Sequence, residues 1–494
     1  MKIETIVFFS IDSLRADCIP GSSSTRNPSL RDLFTPTIHS LMQTACHFTN
    51  TYSSAVFTPP AHASLFTGDY QPNHRIREFY YHGETLSKRI TTLAEFFKSK
   101  GYSTHAYTDM LHVFQATNLL RGFDHISDKD SSFFHDMTKW KRSKRFIFIH
   151  LLDVHTPYLF SPSNAFVDNS DYFRRIYSEI EKSDGRTGRS AIGIDDPYRL
   201  WNSYVQLPSI RSSRSSLFPL YKAGINKFDR GRFKIFLKNL HLHIAVENTV
   251  TFLFSDHGEG QASVRNPSFF RHGPHLSDDV LHIPLIISSP SFHKYINDKL
   301  LSICDIHHLA KRLINNPTQE SINGYQNPNN FVYAESFECR KNAFFTTPNN
   351  AYLHEVRYRK KTDYYIYERQ IRTPTQKLTL WFKPELFFSP HRRQRSLRAS
   401  IQTLHQISSA YSASFNPLQK LFLIIVALCY AQWKKVWMKI FYQNLEPPIE
   451  FEIFNKQTHS IDEQNKIFIY LFRSILKLNR IKHQANDIAS MLRY

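Results

Sequence analysis

Thr5-Ile6-Val7-Phe8-Phe9-Ser10-Ile11-Asp12-Ser13-Leu14-Arg15-Ala16-Asp17 decides how the rest of the chain is read. Its first half is a near-continuous apolar run of β-formers. That is the pattern of a strand buried on both faces, not of one facing water. The run is too short for a signal-peptide core and lacks a small-residue cleavage site, so it reads as a first strand. Similar runs stand at 104–107, 146–151, 249–254 and 283–288, with amphipathic helical stretches such as 91–100 and 228–240 between them. Buried strands alternating with helices predict an α/β fold, a mostly parallel sheet covered by helices on both faces. Such sheets bind ligands beyond the carboxyl ends of their strands. Polar clusters fall at those ends: Asp12 after the first strand, Asp153 and His155 after the third, Asp256 and His257 after the fourth.

The chain has 494 residues, 41% hydrophobic and 21% charged, which is ordinary for a globular protein and excludes wholesale disorder. Residues 1–320 are expected to form the catalytic α/β domain, with 160–220 a loop-rich insertion able to line or cover the cleft. Short β-like runs at 331–334, 363–367 and 377–382 predict a small antiparallel subdomain over 321–389. From 390 to 494 the pattern turns helical and basic. Ser460 and Glu463 form a capping-box pair opening a helix at 461–478. The apolar stretch 421–431 falls short of the ~20 residues a membrane span needs. It reads as a buried helix, with a membrane-surface helix as the alternative.

The net charge of +20 should attract anions. An anionic ester substrate fits, as does an acidic polymer or an anionic membrane docking on the basic C-terminal region. No zinc-finger spacing or RNP-like motif marks a nucleic-acid binder. The cysteines (Cys18, Cys46, Cys304, Cys339 and Cys429) are odd in number and scattered, with no CxxC. Neither a disulfide framework nor a zinc–thiolate site is indicated. A reducing, cytoplasmic setting is expected, with peripheral membrane association as the alternative.

Thr58 stands in Thr58-Pro59-Pro60-Ala61-His62-Ala63-Ser64-Leu65-Phe66-Thr67-Gly68. Prolines mark the start of a short helix and Gly68 its stop. Thr58 is either the N-cap or a hydroxyl presented at a helix N-terminus, where backbone N–H groups and the dipole favour an anion. Activated by a metal or a base, that hydroxyl can serve as a nucleophile. His62, one turn on, either bonds the hydroxyl or a substrate oxygen, or is a surface histidine. Asp12, Asp256, His257 and the Thr58 alkoxide make a mixed oxygen/nitrogen donor set suited to Zn, Mn, Mg or Ca. Gly258 supplies the turn that lets Asp256 and His257 reach one ion. Arg15 and Asp17 are assigned to a structural ion pair. His155 and His272 are candidates to contact a substrate oxygen or protonate a leaving group, with His275 the rival of His272.

Together these segments resemble the sulfatase branch of the alkaline phosphatase superfamily. The matching stretches run in family order: Asp12 to Asp17, Thr58 to Gly68, Gly122-Phe123-Asp124, His150 to Tyr158, Tyr221 to Ile225, Ser255 to Glu259, and His282 to Ile286. The resemblance implies an alkaline-phosphatase-like fold and maps metal ligation onto Asp12, Asp256 and His257, with Thr58 as nucleophile and further ligand. It places substrate contact at His155 and near His272. Sulfate-ester hydrolases of the family carry Cys or Ser, converted to formylglycine, at the nucleophile and an Arg four residues later. Here those positions hold Thr58 and His62, and threonine cannot give that aldehyde. Phosphoester hydrolysis through Thr58 is therefore expected. The alternatives are sulfate-ester hydrolysis, phosphoethanolamine or phosphoglycerol transfer, and a non-catalytic binding protein that keeps the fold. Membrane-acting transferases of the superfamily usually carry an N-terminal anchor, and none is visible, which favours the hydrolase.

Overall fold

The computed structural model describes residues 2–20, 35–77, 84–140, 144–156, 158, 217–260, 272, 275–329, 331–339, 364–372, 376–382 and 449–455. The chain divides into two compact units, Met1–Ser336 with Asn342–Lys361, and Phe337–Lys341 with Thr362–Tyr494. The first is built on strands β1 (Thr5–Ile11), β2 (Ala45–Tyr52), β3 (Ser103–Thr108), β4 (His125–Ser127), β5 (Arg145–Leu151), β6 (Thr249–Phe254), β7 (His282–Ser288), β8 (Tyr295–Asn297) and β9 (Leu301–Ser302). Their order is β4-β3-β5-β1-β6-β7-β2-β8, with β9 beside β2.

The quoted N-terminal run becomes the centre of this sheet. β1 lies between β5 and β6, parallel to both, with Ile11 opposite Leu151 and Ser10 opposite Phe254. Every residue of β1, β5 and β6 is buried, which explains their predominantly apolar character. The register brings Asp12, the turn after Leu151 and the turn after Phe254 to one end of the sheet. The sheet is mostly parallel, but β7 runs antiparallel to β6 and β2 antiparallel to β7. β2 escaped the sequence reading because His47, Thr49 and Asn50 interrupt its apolar run.

Alternation along β1 sends successive side chains to opposite faces. Phe8 packs among Phe146, Phe252 and Phe254 on one face. Helices α1 (Thr58–Thr67) and α2 (Leu93–Ser99) cover that side through Phe66 on Phe148 and Phe97 on Phe146. Phe9 meets Phe233 on the other face. There α3 (Asp130–Thr138), α4 (Leu217–Phe228) and α5 (Lys234–His243) contribute Phe133, Tyr221, Ile225 and Phe236 to one apolar cluster. Each such side chain contributes about 1.5–3 kcal/mol on full burial. A further helix, α6 (Ile303–Asn315), opens on a Ser302–Asp305 capping box.

The helix expected at 228–240 is instead interrupted. α4 ends at Phe228, a π-helical turn spans Asp229–Phe233, and α5 resumes at Lys234. Asp229 and Arg232, three residues apart, are both buried in this turn, which an amphipathic pattern read from apolar residues alone does not predict.

The second sheet has the order β10 (Val332–Cys339), β11 (Tyr364–Arg372), β12 (Gln376–Phe382), β13 (Ile449–Asn455). β12 pairs antiparallel with β11 and with β13. β13 lies within the 390–494 stretch that reads as helical. Its Ile449, Phe451, Ile453 and Phe454 give it a strand-like sequence pattern inside a basic stretch whose pattern reads as helical. The loop-rich insertion up to 216, the apolar stretch 421–431 and the capped helix 461–478 lie outside the described residues. Among the described residues no helix is long and apolar enough to cross a membrane. Cys18, Cys46 and Cys304 are buried free thiols.

Candidate active site

Asp12 leaves β1 with its N–H on the carbonyl of Leu151 (3.0 Å). The next residue, Ser13, has φ +62°, a left-handed conformation uncommon outside glycine. Several contacts hold it there. Its N–H donates to Asp256 Oδ1 (3.3 Å), its hydroxyl to Asp12 Oδ1 (2.8 Å), and its carbonyl accepts from the Tyr221 hydroxyl (2.7 Å). Ser255 Oγ accepts from Leu14 N (3.0 Å) and donates to the Ile11 carbonyl (2.6 Å). A strained residue this heavily fixed serves to aim its neighbours. Ser13, Ser255 and Tyr221 carry no chemistry-bearing spacing, so the sequence reading passed over them as site residues. Arg15 and Asp17 form the expected pair, with Nε at 2.8 Å and Nη2 at 2.6 Å from the two carboxylate oxygens.

Asp256 and His257 follow β6 in a turn closed by Gly258, whose N–H meets the Val280 carbonyl at 2.6 Å. A Cβ on Gly258 would lie 2.2 Å from the Asp279 carbonyl oxygen, so only glycine fits. His257 Nδ1 is 3.0 Å from the Gly258 carbonyl. A carbonyl only accepts, so Nδ1 carries the proton and Nε2 presents a lone pair. Nε2 lies 3.4 Å from Asp256 Oδ2, 3.5 Å from Thr58 Oγ1 and 3.9 Å from Asp12 Oδ1. Thr58 Oγ1 donates to Asp12 Oδ2 at 3.1 Å. The structure therefore brings Asp12, Thr58, Asp256 and His257 together, all buried.

This donor set fits a cation. One ligand atom from each of Asp12, Asp256 and His257 lies within 4.8 Å of the others. Asp256 Oδ2 is buried without a hydrogen-bond partner among the described residues. Converging lone pairs in a dry site repel unless a positive charge lies between them. The carboxyls carry that strain. Burial, and then the Asp12 charge, push Asp256 well above the ordinary carboxylate range. Burial also pushes Asp12 upward, but the neighbouring imidazoles of His155, His150 and His257 outweigh it and hold Asp12 well below that range.

Thr58 is not the N-cap. Phe57 occupies that position, and Thr58 is the first helical residue with its hydroxyl turned to Asp12. The helix end also offers fewer N–H groups than the sequence suggested. Pro59 and Pro60 have none, and the Ala61 N–H is used by the Phe57 carbonyl (3.2 Å). Stabilising an anion at Thr58 thus falls mainly to charged and side-chain groups.

His62 is buried rather than on the surface. Nδ1 donates to the Thr58 carbonyl (2.8 Å), and Nε2 accepts from the Ser10 hydroxyl (2.9 Å). Burial pulls its pKa well down, so it is neutral. Both ring nitrogens are engaged within the protein, by Ser10 and by the Thr58 carbonyl. His62 ties the nucleophile-bearing helix to β1.

His272 stacks on the His257 ring (centroids 4.3 Å apart) and meets His155 edge-on (4.9 Å). Its Nδ1 is 3.8 Å from Glu259, a buried carboxyl pushed up to about 7 by its burial. His155 Nδ1 donates to the Thr156 carbonyl (2.6 Å). It is thus His272 that joins the cluster and links it to His155. His150 is buried beside Asp12, with Nε2 3.3 Å from Asp12 Oδ2 and Nδ1 3.1 Å from Thr108 Oγ1. Its place in β5, opposite Ser10, was the available signal.

The family model described as Sulfatase matches residues 4–310. A Bacteroides thetaiotaomicron structure, described in connection with the metabolism of multiple glycosaminoglycans, aligns over 97% of both chains, with TM-score 0.54 and 13% identity. A phosphonate monoester hydrolase of Agrobacterium radiobacter aligns over 76% of this chain and 87% of its own, with TM-score 0.45 and 17% identity. That of Silicibacter pomeroyi aligns over 82% and 95%, with TM-score 0.45 and 16% identity. No curated protein matches the chain. At such identities the first of these similarities carries the fold alone; the family match spans well over half the chain and includes the Asp12, Thr58, Asp256 and His257 segments, so this protein belongs to the sulfatase family of ester hydrolases.

Proposed function

We propose that this chain hydrolyses phosphoesters, monoester or diester, with Thr58 as nucleophile and a divalent cation held by Asp12, Asp256, His257 and Thr58 itself. The observation that carries the reading is the Thr58 hydroxyl, 3.1 Å from Asp12 Oδ2 and 3.5 Å from the lone-pair nitrogen of His257. The mixed oxygen and imidazole set suits Zn or Mn better than Ca or Mg, which favour oxygen ligands. The bound cation lowers the pKa of the hydroxyl and offsets charge building on the phosphoryl oxygens.

The Thr58 proton leaves toward Asp12 Oδ2, the acceptor it already faces. Thr58 Oγ1 then bonds to phosphorus as the bond from phosphorus to the leaving oxygen breaks. His155 or His272 gives that oxygen a proton. Water then gives a proton to that same histidine and attacks the phosphothreonine, the P–Oγ1 bond breaks, and Thr58 takes its proton back from Asp12. His62 holds the Thr58 backbone throughout. Phosphorus is favoured over sulfur because oxidising a threonine side chain yields a ketone, not the formylglycine aldehyde of sulfate-ester hydrolases.

The test is a panel of aryl phosphomonoesters, phosphodiesters, phosphonate monoesters and sulfate esters, assayed with Zn, Mn, Mg and Ca. Thr58→Ala should lower phosphoester turnover about 10³-fold or more. Its cation affinity, by calorimetry, should fall only a few-fold. Turnover retained in Thr58→Ala, or sulfate esters outpacing phosphoesters, removes the proposal.

A further inference from the structure

Arg232 lies in the π-helical turn Asp229–Phe233. Its guanidinium is buried and surrounded by carboxylates from three segments. Nη1 donates to Asp109 Oδ2 (2.7 Å) and Asp153 Oδ2 (2.7 Å). Nη2 reaches Asp109 Oδ1 (2.8 Å), Asp130 Oδ1 (2.7 Å) and the Tyr107 oxygen (2.5 Å), and Nε reaches Asp130 Oδ2 (3.1 Å). The planar fork is used on every side, a geometry lysine cannot reproduce.

Asp109 follows β3 and Asp153 follows β5, two neighbouring parallel strands with Thr108 opposite His150. The turn after β5 is anchored at two points. Leu152 N–H donates to Asp109 Oδ2 (2.9 Å), and Asp153 is held by Arg232. His155 closes that same turn, its N–H on the Leu152 carbonyl at 3.0 Å. Asp130 differs: it opens α3 and has no place in the turn. Arg232 reaches this cluster from the π-helical turn. Three residues earlier, Asp229 caps another helix through Thr37 N and Ile38 N, both at 2.8 Å.

The geometry points to Arg232 as a positioning residue that, through Asp153 and Asp109, fixes the turn presenting His155 to the leaving group. The inference rests on the reading of His155 given above. A displacement of the order of 1 Å at such a group can cost about 10²-fold in rate, so a long-range clamp has a function to perform. Three carboxylates face one guanidinium, so removing Asp153 leaves Arg232 still paired. Asp153→Ala is therefore the cleaner variant, with Arg232→Lys as its companion and Asp130→Ala as the matched control.

The experiment compares 4-nitrophenyl phosphate with phenyl phosphate, a poorer leaving group, on the full metal-loaded chain. His155→Ala should lower kcat more for phenyl phosphate. Asp153→Ala and Arg232→Lys should show the same skew, about tenfold greater loss on the poorer leaving group, with KM little changed. Asp130→Ala should not. Asp153→Ala should add less than twofold in a His155→Ala background. Equal losses on both substrates, or the same skew in Asp130→Ala, would assign Arg232 to stability alone and overturn the inference. Absence of any skew in His155→Ala removes the role of His155 itself, and the clamp's purpose with it.

Discussion

Asp256→Asn should make the metal-free protein more stable while ending its response to cations. Asp256 Oδ1 accepts from His257 N (2.9 Å) and Ser13 N (3.3 Å), and an asparagine oxygen can keep both bonds. Oδ2 has no hydrogen-bond partner among the described residues, so an amide NH2 in its place breaks no bond there and faces the lone pair of His257 Nε2 at 3.4 Å. The ligand oxygens of Asp12 and Asp256 lie within 4.8 Å. Two unit charges at that separation repel by roughly 3.5 kcal/mol at an effective dielectric near 20. Because the folded-state pKa of Asp256 is raised, the folded protein binds more protons than the unfolded chain above the ordinary carboxylate range. Stability of the metal-free protein therefore falls with rising pH. The loss is about 1.4 kcal/mol per pH unit until the full repulsion is reached. Asp256→Asn should thus raise stability by about 1 kcal/mol at pH 5 and about 3 kcal/mol at pH 8, some 1–4 °C in melting temperature for a chain of this length. Thermal unfolding in chelator, then with Zn or Mn, measures both effects. A cation at a hundred times its dissociation constant should stabilise the natural chain by about 2.7 kcal/mol and the variant far less. An unstable metal-free variant at pH 8, or an undiminished cation shift, would refute the shared-cation reading of this carboxylate pair.

Other substitutions probe separate parts of the site. Thr58→Ser keeps the hydroxyl and should retain phosphoester turnover within about tenfold of the natural chain, against the near-complete loss in Thr58→Ala; equal activities in the two variants would count against an oxygen nucleophile. His62→Ala strips the Thr58 carbonyl and the Ser10 hydroxyl of their partner and opens a cavity. Unfolding should detect about 3–5 kcal/mol of lost stability, and a loss under 1 kcal/mol would mean that this tether is dispensable. Gly258→Ala places a methyl 2.2 Å from the Asp279 carbonyl. The turn must then shift, and calorimetry should show cation affinity down about tenfold or more, a change of roughly 1.4 kcal/mol.

The strands around the site were legible because burial on both faces leaves little choice of residue type. β1, β5 and β6 appear in the sequence as predominantly apolar runs, and the polar residues just beyond them are the ones that meet in space. Gly258 was legible too, as a glycine beside a polar motif in a chain with few glycines. His150 and His62 were harder to read. Their roles depend on which atoms lie opposite each ring nitrogen, and one histidine among 25 carries no such information. β13 was hidden because a seven-residue run, with Glu450 and Glu452 between apolar residues, stands inside a long stretch whose pattern reads as helical, and only its partner β12 marks it as a strand.

By itself, then, the amino-acid order determined the α/β layering and which side chains stand at the strand ends, since periodicity and apolar content are properties of neighbours along the chain. Only the tertiary structure decided that Thr58 donates to Asp12, that His257 turns its lone pair inward, and that Arg232 reaches the His155 turn. The first and last depend on distances between residues 46 and 79 positions apart, and the second on how the turn at Gly258 is folded, for none of which local pattern supplies a constraint.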